Sequence, residues 1–258
     1  MSHSTMSFNT ALVTGGGGGI GKAIAQYFIS QGKKVIIAGR TESKLQASTK
    51  YLGHGTTYCV LDTGDIPSIP SFCQKILKEH PDIDCLVNNA GVQRPLTFTS
   101  FDVDKADQEI NINIRGPMHL ITHFLPHFKT KPSATIINVS SVLGFIPISV
   151  INPVYNGTKA WLHFFTMNLR TQLSQSKDSE NIKVVEIAPP TVGTDLHRER
   201  EDPDDNKKEK NKNALSVDEF MEFVSKGLEE SKETIGAGMS EEVVERWYRD
   251  FYEKAMPK

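Results

Sequence analysis

The chain has 258 residues, of which 38% are hydrophobic and 23% charged, which is enough apolar material for one large α/β domain. Its formal net charge of -2 argues against a duplex-binding protein, because such a protein needs a basic surface to displace counterions. No apolar run approaches the roughly 20 residues of a bilayer span, and the N-terminus has no secretory-type stretch. The three cysteines, Cys59, Cys73 and Cys85, lack a CxxC spacing. We therefore expect reduced thiols and a cytoplasmic protein that binds neither nucleic acid nor membrane.

Apolar runs of strand length alternate with segments of helix length. The predicted strands are TALVTG, KVIIAGR, TTYCVLD, DIDCLVNNAG, ATIINVSS and IKVVEIAPP. The predicted helices are IGKAIAQYFISQG, TESKLQASTKYLG, PSIPSFCQKILKEH, the long region FDVDKADQEININIRGPMHLITHFLPHF, and the segment from Pro153 to about Ser176. Short apolar strands separated by helices indicate βαβ units, and hence a parallel sheet covered on both faces. Because such crossovers are right-handed, we predict a doubly wound, Rossmann-type sheet in a single domain over residues 1–258.

Three segments stand outside this alternation. Residues 1–8 are predicted to be flexible, and residues 240–256 are predicted to form an extra helix. The run 197–213 mixes charges with Pro and Asn and has almost no apolar residues, so we expect a mobile, solvated segment. It could be a lid that orders on binding or a plain exposed loop, and we assign no binding residue there.

The first predicted strand runs directly into the glycine-rich stretch TGGGGGIG. Gly15, Gly19 and Gly21, with Ile20 between the last two, mark a tight turn that feeds a helix. A Cβ in such a turn would stop the backbone from approaching a pyrophosphate, and the free N–H groups of the helix start favour an anion. Five consecutive glycines alone could be a flexible loop. The strand before them and the helix after them predict a dinucleotide site.

The ends of the second and third strands indicate which dinucleotide would bind. A site for an unphosphorylated ribose usually presents an acid after the second strand, whereas this chain has Gly39 and Arg40. A guanidinium can hold a 2′-phosphate through two parallel donors, so we predict NADP(H) in preference to NAD(H). The alternative is that Arg40 is a solvated surface arginine. Asp62, which ends the third strand, could accept from the adenine amino group or form a turn.

The stretch VYNGTKAW places Tyr155 and Lys159 one helical turn apart on the same face. A cation beside a phenol favours the phenolate, so we expect the pKa of Tyr155 to lie below its ordinary value of about 10. Such a tyrosine can exchange a proton with an alcohol or carbonyl oxygen while a hydride moves at carbon. The alternative is a coincidental surface pair. Ser141 ends the preceding strand at the same sheet edge, where its hydroxyl could hold the substrate oxygen or cap the next turn.

Two further stretches would border this site. NNAG, which includes Asn89, Ala90 and Gly91, ends the fourth strand at the same edge, and its asparagines could stabilise the sheet or contact a cofactor. The apolar loop GFIPISVINPV could wall a pocket beside Ser141 and Tyr155. We therefore expect a small-molecule carbonyl or alcohol substrate with hydrophobic bulk.

A run of histidines on the long central helix offers a possible metal site. His119, His123 and His127 recur every four residues, a spacing that suits zinc. No carboxylate or cysteine completes the set at close range, and the proposed chemistry needs no metal. We predict a solvated or subunit-contact stripe and no metal.

In order along the chain, TGGGGGIG, NNAG, NINIRG, SSVLG, YNGTK and PPTVGT resemble the motifs of the short-chain dehydrogenase/reductase family, in its common form of about this length. The resemblance implies a single-domain Rossmann sheet that assembles as a homodimer or homotetramer. It implies that Tyr155 is the general acid/base, that Lys159 tunes it and holds the nicotinamide ribose, and that Ser141 orients the substrate carbonyl.

The resemblance extends to three more positions. Asn113 would hold a water that links Lys159 to solvent, while Val192 and Thr194 would fix the carboxamide and the pyrophosphate. This chain departs from the usual pattern in the longer gap between Ser141 and Tyr155, so that either the loop bulges or Ser140 shares the task. The last strand of the family has only a short counterpart here, within IGAGM.

The sequence therefore predicts an NADPH-dependent reductase or dehydrogenase. Hydride would pass between nicotinamide C4 and a carbonyl or secondary alcohol, with Tyr155 as the general acid/base. Two alternatives from other classes are a dinucleotide-sensing protein without catalysis and an isomerase or epimerase that uses the cofactor transiently.

Overall fold

The computed structural model describes residues 6–255 of the chain. In this range seven strands form one sheet in the order β3-β2-β1-β4-β5-β6-β7, and every neighbouring pair is parallel. The strands are β1 (Thr10–Thr14), β2 (Lys34–Gly39), β3 (Thr57–Val60), β4 (Cys85–Asn88), β5 (Ala134–Val139), β6 (Ile182–Ala188) and β7 (Thr234–Gly236). The helices are α1 (Gly19–Ser30), α2 (Glu42–Leu52), α3 (Ile69–Glu79), α4 (Val103–Ile110), α5 (Gly116–Phe128), α6 (Pro153–Ser174), α7 (Val217–Glu229) and α8 (Met239–Trp247).

The central strands are buried along their whole length, since helices cover both faces of the sheet. Every residue of β1, β4 and β5 is buried. Alternate side chains of a strand point to opposite faces, and neighbours such as Leu86 and Val87 accordingly belong to two separate apolar clusters. The predicted Rossmann-type parallel sheet is confirmed.

The strand order reverses at β1, which pairs with β2 on one side and with β4 on the other. In an open parallel sheet a ligand crevice forms at such a reversal, outside the carboxyl ends of the strands. The glycine-rich stretch follows β1, NNAG overlaps the end of β4, and Ser141 follows β5. The topology therefore brings the motifs found in the sequence to one edge.

The long helical region predicted in the middle of the chain is not uniform. Between α4 and α5 lies a π-helical turn, Asn111–Arg115, and such turns occur often at functional sites. This turn carries Asn113. A Cβ on Gly116, the first residue of α5, would lie 2.5 Å from Thr63 O. The lack of a side chain there therefore allows the start of α5 to pack closely against the loop after β3.

The predicted flexible segment at residues 1–8 does not extend to Phe8. Residues 1–5 lie outside the described residues. Phe8 is fully buried, with its ring centroid 4.9 Å from that of Phe28 in an edge-to-face contact. The cause is tertiary: Phe8 fills the space between the sheet and α1, which the sequence pattern around it does not indicate.

The C-terminal region adds a short edge strand and a helical extension to the sheet. β7 has three residues and pairs only with β6 among the described strands. After α8 the chain continues as a π-helical turn, Tyr248–Tyr252, and a last turn, Glu253–Ala255. Position 256 of the predicted helix lies outside the described residues.

Neither a cluster of metal ligands nor a membrane-spanning helix is present in residues 6–255. No group of three or more His, Cys, Asp or Glu side chains in this range could hold a metal ion. The rings of His119 and His123 are 6.5 Å apart, and His127 Nε2 lies instead 2.8 Å from Ile83 O. None of the helices in the same range is long and apolar enough to cross a membrane.

Candidate active site

Tyr155 and Lys159 lie on α6, which begins at Pro153 and faces the crevice. Both side chains are buried, and Lys159 Nζ lies 5.5 Å from the centre of the Tyr155 ring. The ammonium also donates a hydrogen bond of 2.8 Å to Val139 O, at the end of β5. The spacing read from the sequence thus produces a side-by-side pair, with the lysine fixed by the sheet.

The pKa of Tyr155 differs from the sequence-based expectation. We expected Lys159 to lower it, but burial raises the pKa of the phenol above its ordinary value, and the Glu109 carboxylate adds to the effect. A hydrogen bond with Ser141 and the positive charge of Arg200 act in the opposite direction. The expectation was wrong because it neglected the cost of burying a phenolate. The isolated protein therefore favours the neutral phenol.

Burial shifts the pKa of Lys159 downward, opposite to its effect on Tyr155. Removal from water lowers the pKa of its ammonium to about 8, although the carboxylates of Glu109 and Glu186 counteract the change. The lysine can therefore lose and regain a proton near neutral pH. A lysine of ordinary pKa would stay charged under the same conditions.

The two serines after β5 have different partners. Ser141 forms the hydrogen bond with Tyr155, and its Oγ also accepts from Leu143 N at 3.1 Å. Ser140 instead donates to Glu186 Oε1 at 2.5 Å. Ser141 is therefore the serine beside the phenol, and the alternative in which Ser140 shares its task has no support in the geometry.

The amide of Asn113 makes three hydrogen bonds within the protein. Its Oδ1 accepts from Val92 N at 3.0 Å, and its Nδ2 donates to Val92 O and to Thr158 Oγ1. The side chain thus ties the segment after β4 to α6. A Cβ built on Gly91 would lie 3.3 Å from Asn113 Oδ1 and 3.8 Å from Lys159 Nζ, so these two groups border the same small space.

The glycine-rich turn adopts a backbone that requires glycine. Gly15 and Gly19 have positive φ angles of 68° and 50°. A Cβ on Gly21 would lie 2.4 Å from Asn89 Nδ2 and 2.5 Å from Gly15 O, so α1 can pack this closely only without a side chain there. The turn leaves the start of α1 open to the crevice beside Ile20. Its N–H groups suit an anion.

The asparagines of NNAG stabilise the sheet. Asn88 Nδ2 donates to Asn138 Oδ1 at 2.9 Å, and Asn89 Nδ2 donates to Thr14 O at 3.0 Å. Of the two interpretations left open by the sequence, the structural one is seen for both side chains. Asn89, Ala90 and Gly91 line the crevice, and a contact between them and a cofactor stays a prediction.

Arg40 stands at the opposite end of the crevice from Tyr155. Its Nη1 is 4.0 Å from Asp62 Oδ2, and both side chains are nearly half exposed, so the pair is weak and leaves the guanidinium available. Lys44, on the first turns of α2, lines the same end and was missed by sequence reasoning. Asp62 does not line the crevice; its Oδ1 accepts from Gly64 N at 2.9 Å, which is the turn-forming interpretation.

The loop after β6 lines the crevice beside the glycine-rich turn. Asn206 is buried and donates to Val192 O and Thr194 O at 2.9 and 3.0 Å. Thr194 lies over the glycine-rich turn, since a Cβ on Gly19 would be 3.2 Å from its methyl group. The segment 197–213 is therefore anchored, not a purely solvated loop, and its mobility stays a prediction.

The crevice between Arg40 and Tyr155 has a volume of about 1040 Å³. It is continuous from the glycine-rich turn to Ser141, which is room for an elongated ligand along the sheet edge. Of the apolar loop GFIPISVINPV, Ile148 lines the crevice, whereas Val150 is 87% exposed and is not among the lining residues. Gln93 and Arg200 add polar groups to the wall near Tyr155.

This geometry agrees with what comparison with known proteins shows. The profile described as short chain dehydrogenase matches residues 9–205, which is most of the chain. The protein belongs to the short-chain dehydrogenase family. It is an oxidoreductase of that family, and the resemblance stated from the motifs is confirmed.

The chain is also similar to individual known proteins in sequence and in fold. The chain is 36% identical over 233 residues to the uncharacterized oxidoreductase DltE of Bacillus subtilis strain 168, covering 89% of this chain and 88% of that one. It is 30% identical to the closed form of serine dehydrogenase complexed with NADP+, with a TM-score of 0.76 over 88% of this chain and 93% of the other. A short-chain dehydrogenase from Burkholderia phymatum in complex with NAD has a TM-score of 0.83 at 18% identity, over 99% of this chain and 98% of the other.

In this short-chain dehydrogenase, three buried polar residues near the site were missed by sequence reasoning. They are Glu109, His163 and Glu186, none of which has any exposed surface. The available signals were that His163 continues the one-turn spacing of Tyr155 and Lys159, and that Glu186 interrupts an apolar strand. Glu109 gave no comparable signal, because a glutamate within a polar helical stretch is ordinarily solvated.

Proposed function

We propose that this protein is an NADPH-dependent carbonyl reductase, which in the reverse direction oxidises a secondary alcohol, with Tyr155 as the general acid/base. The observation that supports this most is the convergence of Tyr155, Lys159 and Ser141 at one end of a crevice whose other end carries the glycine-rich turn and Arg40. A proton donor and a dinucleotide-sized site then share one cleft.

The residues along the crevice fit a nicotinamide dinucleotide. The turn from Gly15 to Gly21 offers N–H groups at the start of α1 to a pyrophosphate, with Thr194 above it. Lys159 would hold the nicotinamide ribose, and Val192 the carboxamide. A bound nicotinamide supplies or accepts the hydride.

The preference for NADP(H) is proposed from the second strand end. Arg40, together with Lys44, would bind a 2′-phosphate; the nearby Asp62 carboxylate lies 4.0 Å from Arg40 and is not among the described residues that line the crevice. A relative at 30% identity is complexed with NADP+, whereas a structural neighbour at 18% identity is complexed with NAD. The local charge favours the phosphorylated cofactor.

The side chains around Tyr155 assign the proton steps. Burial keeps the phenol neutral, so in the reductive direction Tyr155 has a proton to give to the carbonyl oxygen. Ser141 lies beside that phenol, and on substrate binding its single O–H would turn from the phenol and donate to the carbonyl oxygen. Lys159, with a pKa of about 8, can return a proton to the phenolate that forms. In the oxidative direction the same transfers run backwards.

The substrate is proposed to be a small carbonyl compound or alcohol with hydrophobic bulk. Val142, Leu143 and Ile148 border the crevice near Ser141 and would contact an apolar group. Gln93 and Arg200 lie on the same wall and would suit a polar substituent. We further propose a cytoplasmic homodimer or homotetramer, for which light scattering of the purified protein is the direct test.

The proposed reaction is tested by following NADPH absorbance with a panel of ketones and aldehydes, alongside NADH. We expect net NADPH consumption with bulky apolar carbonyl compounds and slower consumption of NADH. Cofactor binding without consumption across the panel would favour the dinucleotide sensor, and substrate conversion without net consumption would favour the isomerase. Either result would contradict the proposal.

A further inference from the structure

Glu109 is a buried carboxyl group at the end of α4 whose location has no evident structural explanation. The side chain has no exposed surface. Its Oε2 accepts a hydrogen bond of 3.1 Å from Arg94 N, but Oε1, also buried, accepts none from any residue in the described range 6–255. An unpaired buried carboxylate oxygen is costly, so native proteins rarely keep one without a use for it.

The position of Glu109 on its helix puts it beside the catalytic end of the crevice. It precedes Asn113 by about one helical turn, and both side chains bind the backbone of the same segment after β4, at Arg94 and Val92. That segment also carries Gly91, next to which Lys159 Nζ lies. α4 packs directly against α6. Glu109 therefore faces the helix that carries Tyr155 and Lys159.

Four charged or titratable groups on the elements around Glu109 interact with it electrostatically. They are Arg94 from the segment after β4, Glu199 from the loop after β6, and Tyr155 and Lys159 from α6. The guanidinium of Arg94 is bound to Glu199, Gln108 and Lys105 O, so it does not bind the Glu109 carboxylate directly. This leaves Lys159 as the remaining cation near the carboxyl group.

The electrostatics support an exchangeable proton at this position. Burial raises the pKa of Glu109 to about 7, while Arg94 and Lys159 oppose the change and Glu199 adds to it. Burial also lowers the pKa of Lys159 to about 8. Two neighbouring groups with similar pKa values can pass a proton in either direction near neutral pH.

We propose that Glu109 is a proton-relay residue that acts through Lys159 on Tyr155. This inference rests on the proposed reductase function. In carbonyl reduction, the Tyr155 O–H bond breaks and its proton joins the carbonyl oxygen, while the carbonyl carbon gains hydride from bound NADPH. An N–H proton of Lys159 then passes to the phenolate. A water beside the unpaired Glu109 Oε1 would give a proton to the Lys159 amine while it takes the O–H proton of Glu109, and a proton from bulk solvent then restores the Glu109 carboxyl group.

The first test is independent of turnover. Carbon-13 NMR of labelled glutamate carboxyl groups is followed across the neutral pH range, and the Glu109 resonance is identified by its absence in Glu109→Gln. We expect a midpoint near 7 in the unmodified protein. In Lys159→Met the midpoint should move upward, since the ammonium favours the ionised carboxyl. A midpoint at the ordinary glutamate value, or no change in Lys159→Met, would overturn the proposal.

The second test uses carbonyl reduction by Glu109→Gln, which keeps the size of the side chain and removes its proton. We expect kcat to fall by about tenfold or more. The inflection near pH 7 that Glu109 would cause should disappear from the pH profile, whereas the one near pH 8 that Lys159 would cause should remain. Asp107→Asn, an exposed carboxylate of the same helix, is the matched control and should retain both. NADPH binding and thermal unfolding of Glu109→Gln should be unchanged.

Equal kcat and an unchanged pH profile in Glu109→Gln would refute the relay. If the unmodified protein reduces no carbonyl compound, the proposed function fails. The NMR titration still shows whether the pKa of Glu109 depends on the charge of Lys159. The two failures are thus distinguishable.

Discussion

Arg40 is the residue on which cofactor selectivity should depend. Its guanidinium is close to half exposed, and its ion-pair partner within residues 6–255 is Asp62, at 4.0 Å. Such a loose ion pair contributes little to stability, so nothing in the fold requires an arginine at this position. We therefore propose that this weakly paired positive charge at the end of the crevice serves to bind an anionic group of a ligand.

Substitution of Arg40 by Asp is expected to shift selectivity toward NADH. Loss of a charge-assisted contact and gain of a repulsive carboxylate should lower the ratio of kcat/KM for NADPH to that for NADH by at least about tenfold. The ratio is measured with one carbonyl substrate. Arg246→Asp, an exposed arginine of α8, serves as the control. An unchanged ratio in Arg40→Asp would show that another group reads the 2′-phosphate.

Single residues differ in how far the sequence could predict them. The Tyr155–Lys159 pair could be placed because it depends only on helical spacing, and Ser141 because parallel strands end at one edge. The raised pKa of Tyr155 could not be predicted, since it comes from burial and from Glu109 on another helix. The turn made by Asp62 remained undecided for the same reason: its partner, a backbone N–H, carries no sequence signal.

α6 supports the site as a single element. Tyr155, Lys159 and His163 succeed one another by one turn each along its sheet-facing side. His163 Nδ1 lies 2.9 Å from Glu186 Oε2 on β6, and Glu186 in turn accepts from Ser140 after β5. The imidazole also makes an edge-to-face contact with Trp247 of α8, at 4.6 Å. This buried network fixes the helix to two strands and to the C-terminal extension.

Removal of His163 from this network should weaken the whole fold. In His163→Leu the Glu186 carboxylate stays buried without its imidazole partner, and we expect the free energy of unfolding to fall by about 3–5 kcal/mol. Urea denaturation followed by circular dichroism measures the change. Asn168→Leu, at an exposed position of the same helix, should alter it by less than about 0.5 kcal/mol. Equal stabilities of the two variants would contradict the role assigned to the network.

On the scale of the whole molecule, the loop after β6 is attached to the body of the protein across the crevice. Arg94 Nε lies 3.1 Å from Glu199 Oε1, and Arg200 donates to Gln93 Oε1 and Asn152 Oδ1. These contacts join residues far apart in sequence, and the charge pattern of 197–213 could not reveal them. The sheet could be predicted because it repeats a local alternation, whereas the attachment of this loop depends on its tertiary partners.

Loss of one attachment should make the loop open more often. Glu199→Gln removes a partly buried ion pair worth about 1 kcal/mol, which corresponds to about a fivefold rise in the open population. Trypsin cleavage within residues 197–213 should accelerate by a similar factor. Glu201→Gln, an exposed neighbour, should leave the rate unchanged. Identical cleavage rates in both variants would mean that the Arg94–Glu199 pair does not hold the loop.

The proposed reductase activity would depend on the phenol of Tyr155, and Tyr155→Phe tests it most directly. The variant keeps the ring that contacts Lys159 and removes the hydroxyl that would protonate the substrate. We predict that the rate of carbonyl reduction falls by about a hundredfold or more, while NADPH binding, measured by fluorescence, stays within a few fold. Reductase activity retained at the level of the unmodified protein would remove Tyr155 from the reaction.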